Sequence, residues 1–131
     1  MQIVASQTVS LERVLTQEDF NRFAVLSGDD NPIHVDPEFS ARTRFGKTVA
    51  HGMFLYSLIH TALERYFPGA AQVSQDLMFP EPTFVGEMVT VSLRVLEVQL
   101  AERMARVETV VTRPGGRIGC QGETVIRWNG I

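Results

Sequence analysis

Residues 27–36 read Ser-Gly-Asp-Asp-Asn-Pro-Ile-His-Val-Asp, which puts three carboxylates and one imidazole within a ten-residue span. Histidine titrates near pH ~6.5, so it can give or take a proton at neutral pH. A carboxylate beside it can activate water or hold its tautomer. Asp29 and His34 are therefore the candidate acid–base pair. The same residues admit plainer readings: Asp29, Asp30 and Asn31 as turn formers, and His34 as a hydrogen-bonded loop histidine. A metal site on Asp29, His34 and Asp36 has no ligand-spacing signature and no cysteine pair behind it, so no metal is expected.

A second cluster is Phe45-Gly46-Lys47-Thr48-Val49-Ala50-His51-Gly52-Met53. Gly52 stands where an apolar helix begins. Backbone N–H groups there lack intrahelical acceptors and carry the positive end of the helix dipole. They can stabilise a carbonyl oxygen that becomes negative during a reaction. A simple loop-to-helix junction would look the same. His51 and Met53 flank this position and are candidate substrate contacts. His60 follows nine residues after His51, on the opposite helix face at ~100° per residue, so the two cannot share a metal. His60 is expected to be a packed or pocket-lining residue.

These clusters need elements to hold them. Residues 7–14 suggest a short strand. Thr16 suits an N-cap, with Gln17, Glu18 and Asp19 in the first turn. Phe20, Phe23 and Ala24 recur at helical spacing, with Leu26 extending that face. The helix must end near Gly28, because Asn31-Pro32 disfavours its continuation. Residues 28–50 read as irregular, with a short helix after Asp36-Pro37. A second helix runs from Gly52 to Phe67, apolar nearly all round, which implies burial on most sides. Pro68-Gly69 stops it. Strands follow at 71–79, 87–98, 104–113 and 117–128, the last two flanking the hairpin signal Pro114-Gly115-Gly116. The expected class is α+β: an antiparallel sheet around one central helix.

The totals agree with one domain of 131 residues. Hydrophobic residues make up 44% and charged residues 21%, with a formal net charge of −3, which argues against nucleic acid as the main partner. The start has no basic and apolar leader pattern, and no apolar run is long enough for a membrane span. The single cysteine, Cys120, excludes an intrachain disulfide, so a reducing cytoplasm is the expected setting. It lies in a strand with no base nearby in sequence, and a structural role is expected. Phosphate-loop, dinucleotide and nucleophile-elbow motifs are missing.

Together the two clusters resemble the hydratase motif of the MaoC-like family, which includes the R-specific enoyl-CoA hydratases. The matching residues are Ser27 to Pro37, then Ala41, Phe45-Gly46 and Val49 to Met53. Phe79-Pro80, Pro82 and Phe84-Val85-Gly86-Glu87 extend the likeness more weakly. The resemblance implies a hot-dog fold, a homodimer with joined sheets, and acyl-thioester sites at the subunit interface. It implies hydration of trans-2-enoyl-CoA to (R)-3-hydroxyacyl-CoA, or the reverse. Asp29 would activate water, His34 would supply the proton to C2, and the Gly52 N–H would hold the thioester carbonyl. Asn31 would brace the loop near the substrate. No cofactor is expected, because the thioester is itself the electron sink. Arg42, Arg44 and Lys47 are candidates for meeting carrier phosphates, or else a solvated face. The rivals are a dehydratase acting on acyl carrier protein, a hot-dog thioesterase, and a binding or regulatory subunit without activity.

Overall fold

The computed structural model describes residues 2–129. Strand β1 (Thr8–Val14) leads into helix α1 (Gln17–Ser27). Thr16 starts that helix with a reciprocal capping box: its hydroxyl accepts from the Asp19 amide, and the Asp19 carboxylate accepts from the Thr16 amide. Gly28 ends it in the left-handed region, at φ 81°. Phe20 and Ala24 point inward, whereas Leu26 is 85% exposed. Two positions past Ala24 is more than half a turn, so Leu26 lies on the outer face, contrary to the extended apolar face expected for it.

The stretch 28–50 holds a short helix not expected there, α2 (Pro32–Val35), followed by the one expected after Asp36-Pro37, α3 (Pro37–Ala41). Each opens on a proline, whose missing N–H has no partner to lose there. Asn31 caps α2 through the Ile33 amide, and Asp36 caps α3 through the Glu38 and Phe39 amides. His34 thus sits on a helical turn rather than in a loop.

Helix α4 (Gly52–Tyr66) is followed by β2 (Ala71–Gln75), β3 (Met88–Gln99), β4 (Met104–Arg113) and β5 (Arg117–Arg127). The five strands form one antiparallel sheet in the order β1-β3-β4-β5-β2. Pro114–Gly116 makes the turn between β4 and β5, with Gly115 and Gly116 at positive φ. Strand β2 is shorter than the expected 71–79. Its register slips between Gln72 and Ser74. The Asp76 carboxylate then accepts the Glu123 amide, and pairing resumes as an isolated bridge at Met78–Gln121.

Alternation along β3 sends Val89, Val91, Leu93 and Val95 inward. They meet Phe54, Leu55, Leu58, Ile59, Ala62 and Leu63 of α4. Apart from Ala62, each such side chain, fully buried, contributes about 1.5–3 kcal/mol of transfer free energy. The opposite face of α4 is open: Met53, His60, Thr61 and Glu64 are exposed, so this chain alone does not bury the helix on most sides. A long helix cradled by an antiparallel sheet is the hot-dog arrangement.

Candidate active site

The segment Thr48–His51 links the helices to the sheet. Val49 bridges to Phe84, and the Ala50 amide donates to the Thr83 carbonyl. Val49 also clamps α2 from both ends: its amide donates to the Ile33 carbonyl at 3.0 Å, and its carbonyl accepts from His34 Nδ1 at 2.7 Å. Because a carbonyl only accepts, the Nδ1 atom of His34 must carry a proton. Nε2 is left as the atom that gains and loses a proton. It faces Asp29 Oδ2 at 3.7 Å, with the Asp29 side chain 55% and the His34 side chain 15% exposed.

Asp29 is held by its neighbours. Its amide donates to Ser27 Oγ, and its carboxylate accepts from the Asn31 amide at 3.4 Å. Its carbonyl lies 2.8 Å from Nε2 of His51. The His51 and His34 rings stack with centroids 3.8 Å apart and planes 23° apart. Burial lowers the His51 pKa from its ordinary value, against the opposing effect of the bond to Asp29.

Asp29, His34 and His51 offer atoms that all lie within 4.8 Å of one another, which by distance alone resembles a metal site. The geometry does not suit one. Imidazole lone pairs lie in the ring plane, and two nearly parallel stacked rings do not aim them at a common point. One nitrogen of each ring is also engaged with a carbonyl.

These residues line a cavity of about 500 Å³ whose wall is otherwise largely apolar, including Phe23, Leu55 and Phe79. Gly52 opens α4 at its edge. Among the described residues neither the Gly52 nor the Met53 amide has a protein acceptor, since the first α4 amides to bond are those of Phe54 and Leu55 to the His51 carbonyl. A Cβ on Gly52 would come within 2.9 Å of the Phe79 ring, so glycine keeps backbone and ring close together.

Not every expected residue reaches this cavity. Met53 lines it, but the Asn31 side chain is spent on capping α2 and is not in the wall. His60 is exposed and pairs with Gln72 about two turns further along α4 than Met53, outside the cavity of this chain. Asp36 is occupied by the α3 cap. Of the basic residues, Arg44 lies over the Phe45 ring and lines a neighbouring groove with Arg113 and Arg117. Arg42 and Lys47 do not line it. That groove shares Glu81 and Pro82 with the main cavity. Burial pushes the Cys120 thiol up to about 11, which leaves it inert at neutral pH.

Three contributors carry no sequence signal. Gln17 joins three segments: it donates to the His34 carbonyl at 2.9 Å and to Asn21, and accepts from Thr48 Oγ1 at 2.6 Å. Gly119 and Thr83 pack against each other in the cavity wall, where a Cβ on Gly119 would strike the Thr83 hydroxyl.

The family described as MaoC like domain matches residues 2–114. An (R)-specific enoyl-CoA hydratase of Aeromonas caviae is 37% identical over 107 residues, covering 80% of this chain and 80% of that protein. A 3-hydroxybutyryl-CoA dehydratase of Methylorubrum extorquens is 34% identical over 122 residues, covering 92% and 77% respectively. Among solved structures, the (R)-hydratase from A. caviae superposes with a TM-score of 0.93 at 32% identity, covering 97% of this chain and 98% of that one. An R-hydratase of Pseudomonas aeruginosa gives a TM-score of 0.94 at 30% identity, covering 98% and 84%. A match of this extent in sequence and in fold establishes that the chain belongs to the MaoC-like domain family.

Proposed function

We propose that this chain is a hydro-lyase that hydrates trans-2-enoyl-CoA to (R)-3-hydroxyacyl-CoA and catalyses the reverse dehydration. The observation that carries the reading is the Asp29 Oδ2–His34 Nε2 pair, 3.7 Å apart, in a mostly apolar cavity with a helix N-terminus at its edge. The gap is too long for a direct hydrogen bond and suits two groups that share one water.

With the thioester carbonyl on the Gly52 N–H, electron density is drawn from the double bond and C3 becomes electrophilic. Ionised Asp29 takes a proton from the shared water as its oxygen bonds to C3. Protonated His34 delivers the Nε2 proton to C2. The proton on Asp29 then passes to Nε2 and restores the pair. Both groups act from one side, so addition is syn. The relatives' names support the (R) hand. Asn31 serves by bracing the turn, and Met53 by lining the cavity. His60 would act only through a surface completed by a second subunit.

A relative of Arabidopsis thaliana named a mitochondrial 3-hydroxyacyl-[acyl-carrier-protein] dehydratase favours a second carrier. It is 38% identical over 77 residues, 59% of this chain and 46% of that protein. Coenzyme A and acyl carrier protein both present a pantetheine phosphate, and Arg44 in the groove next to the cavity suits one, since Arg113 and Arg117 there are paired with Glu87 and Glu81.

The assembly we assign is a symmetric homodimer joined through the open edge of β2. Val73 in that strand, Met78 beyond it and Met53 at the head of α4 are half or more exposed. Among the described residues no helix is long and apolar enough to cross a membrane. We place the protein in the cytoplasm, where a lone buried thiol is at home.

The test is a hydration assay on enoyl-CoA and enoyl-carrier-protein conjugates of graded length, following loss of the conjugated thioester absorbance. Running it in deuterated water with chiral analysis reads the geometry. A syn (R) product is expected. Absence of turnover on every conjugate would overturn the reading, and turnover confined to carrier-protein conjugates would select the second carrier.

A further inference from the structure

His51 is more deeply buried than either member of the pair, at 3% exposure. Its ring lies between His34, stacked at 3.8 Å, and Phe23 of α1, tilted at 4.9 Å. The Nε2 atom lies 2.8 Å from the Asp29 carbonyl, so the proton is on Nε2 and the Nδ1 atom holds a lone pair. That Nδ1 atom is buried and has no partner among the described residues. A buried nitrogen without a partner disfavours folding, and its presence calls for a reason other than stability.

The ring has no route for proton exchange in the reaction. Its one proton is committed to a carbonyl, and its lone pair is closed off from solvent. It does touch both halves of the pair: the backbone of Asp29 through a hydrogen bond, and His34 through its face. His34 and Asp29 are also the titratable groups that face it.

We infer that His51 is a positioning residue, which fixes the 3.7 Å gap between Asp29 and His34 by tying the Asp29 carbonyl and backing the His34 ring. The inference rests on the proposed hydratase reaction. A neutral His51 is needed for this role, because a second charge stacked on His34 would oppose its protonation. The two histidines hold their protons on opposite nitrogens, His34 on Nδ1 and His51 on Nε2, each set by the carbonyl it meets. The stack therefore presents one working nitrogen to the cavity.

Two substitutions separate the two contacts. His51→Phe keeps a flat ring against His34 and removes the donor. His51→Gln keeps a donor and removes the aromatic face. Wild type, both variants and His34→Ala are compared for kcat, KM and thermal midpoint on a trans-2-enoyl-CoA. Loss of a contact that orients a metal-ligating histidine lowers activity by about ten- to a hundredfold, and orienting a proton-transferring one sets a similar scale. We expect His51→Phe to lose kcat on that scale, with KM within about twofold and a thermal midpoint unchanged or raised. His51→Gln should recover part of the loss.

Wild-type kcat in His51→Phe, beside an inactive His34→Ala, would overturn this inference and leave the reaction standing. A parallel fall of kcat and thermal midpoint in both variants would make His51 structural and also overturn it. An inactive wild type would overturn the hydratase reading instead. A readout independent of turnover is nitrogen-15 spectra of the histidine rings at pH 6.5. We expect His51 to be mostly neutral there, with its proton on Nε2. A charged ring, or a proton on Nδ1, would sink the role whatever the reaction.

Discussion

Asp29 Oδ2 and His34 Nε2 stand 3.7 Å apart, and neither depends on the other for its place. The Val49 carbonyl holds His34 and the Ser27 hydroxyl holds the Asp29 amide. Removing either reacting group should therefore leave the fold intact. Asp29→Asn and His34→Ala are expected to lower kcat by about a hundredfold or more, the usual scale for a lost general acid or base. Thermal midpoints should stay near wild type. Near-full activity in either variant removes that residue from the mechanism.

Gly52 is constrained by Phe79 rather than by its own backbone. A Cβ there would lie 2.9 Å from two ring carbons. The ring must shift, and with it the wall that seats the thioester. Gly52→Ala should lower kcat/KM by about tenfold or more, as small misplacements do. Adding Phe79→Ala removes the obstructing ring and should recover part of the loss. A double variant no better than the single one would place the defect in the α4 amides.

His51 also links stability to pH. Burial holds its folded pKa below the ordinary 6.5. Between those two values the unfolded chain binds a proton that the native chain does not. Stability therefore rises with pH across that window, is fully present above 6.5, and is lost as pH falls through the folded pKa. Urea unfolding from about pH 7.5 to about pH 5 should show this slope in wild type and a shallower one in His51→Phe. Equal slopes would mean that His51 titrates normally.

The Glu87–Arg113 pair pins the turn that precedes β3. Its closest contact is 3.0 Å, and the side chains are only 12% and 14% exposed. Glu87 also accepts the Phe84 amide at 2.7 Å, so it holds the same bend as Gly86 at φ 84°. Removing one partner strands a nearly buried charge. Glu87→Ala should cost about 3 kcal/mol in chemical unfolding. Replacing both residues with apolar ones of similar size should cost less. A single-variant loss below about 1 kcal/mol would mean the pair acts like an exposed one.

Local chemistry made much of this protein legible in its sequence. The Thr16 cap, the Gly28 stop and the start of α4 at Gly52 follow from residues that act on backbone within a few positions. The alternation of β3 follows from its own side chains. The run from Ser27 to Met53 pointed to Asp29, His34 and Gly52, because spacing and residue type travel together there. The helical turn of α2 was also within reach, since Asn31 and Pro32 are an N-cap and a first-turn proline.

What only the tertiary structure decided involves partners distant in sequence or backbone atoms. The tautomer of His34 depends on a carbonyl fifteen residues away, and that of His51 on one twenty-two residues away. Any residue can supply a carbonyl, so no residue type announces it. Gln17 reaches His34 and Thr48 only once α1 packs beside them. His60 has the residue type of a site but lies about two turns along α4 from Met53, on the same face, where it meets Gln72 beyond the end of the cavity. Gly52 needs to be glycine because Phe79 arrives from another segment. Sequence determines which groups are available and the local backbone that carries them; packing determines which lone pairs face each other.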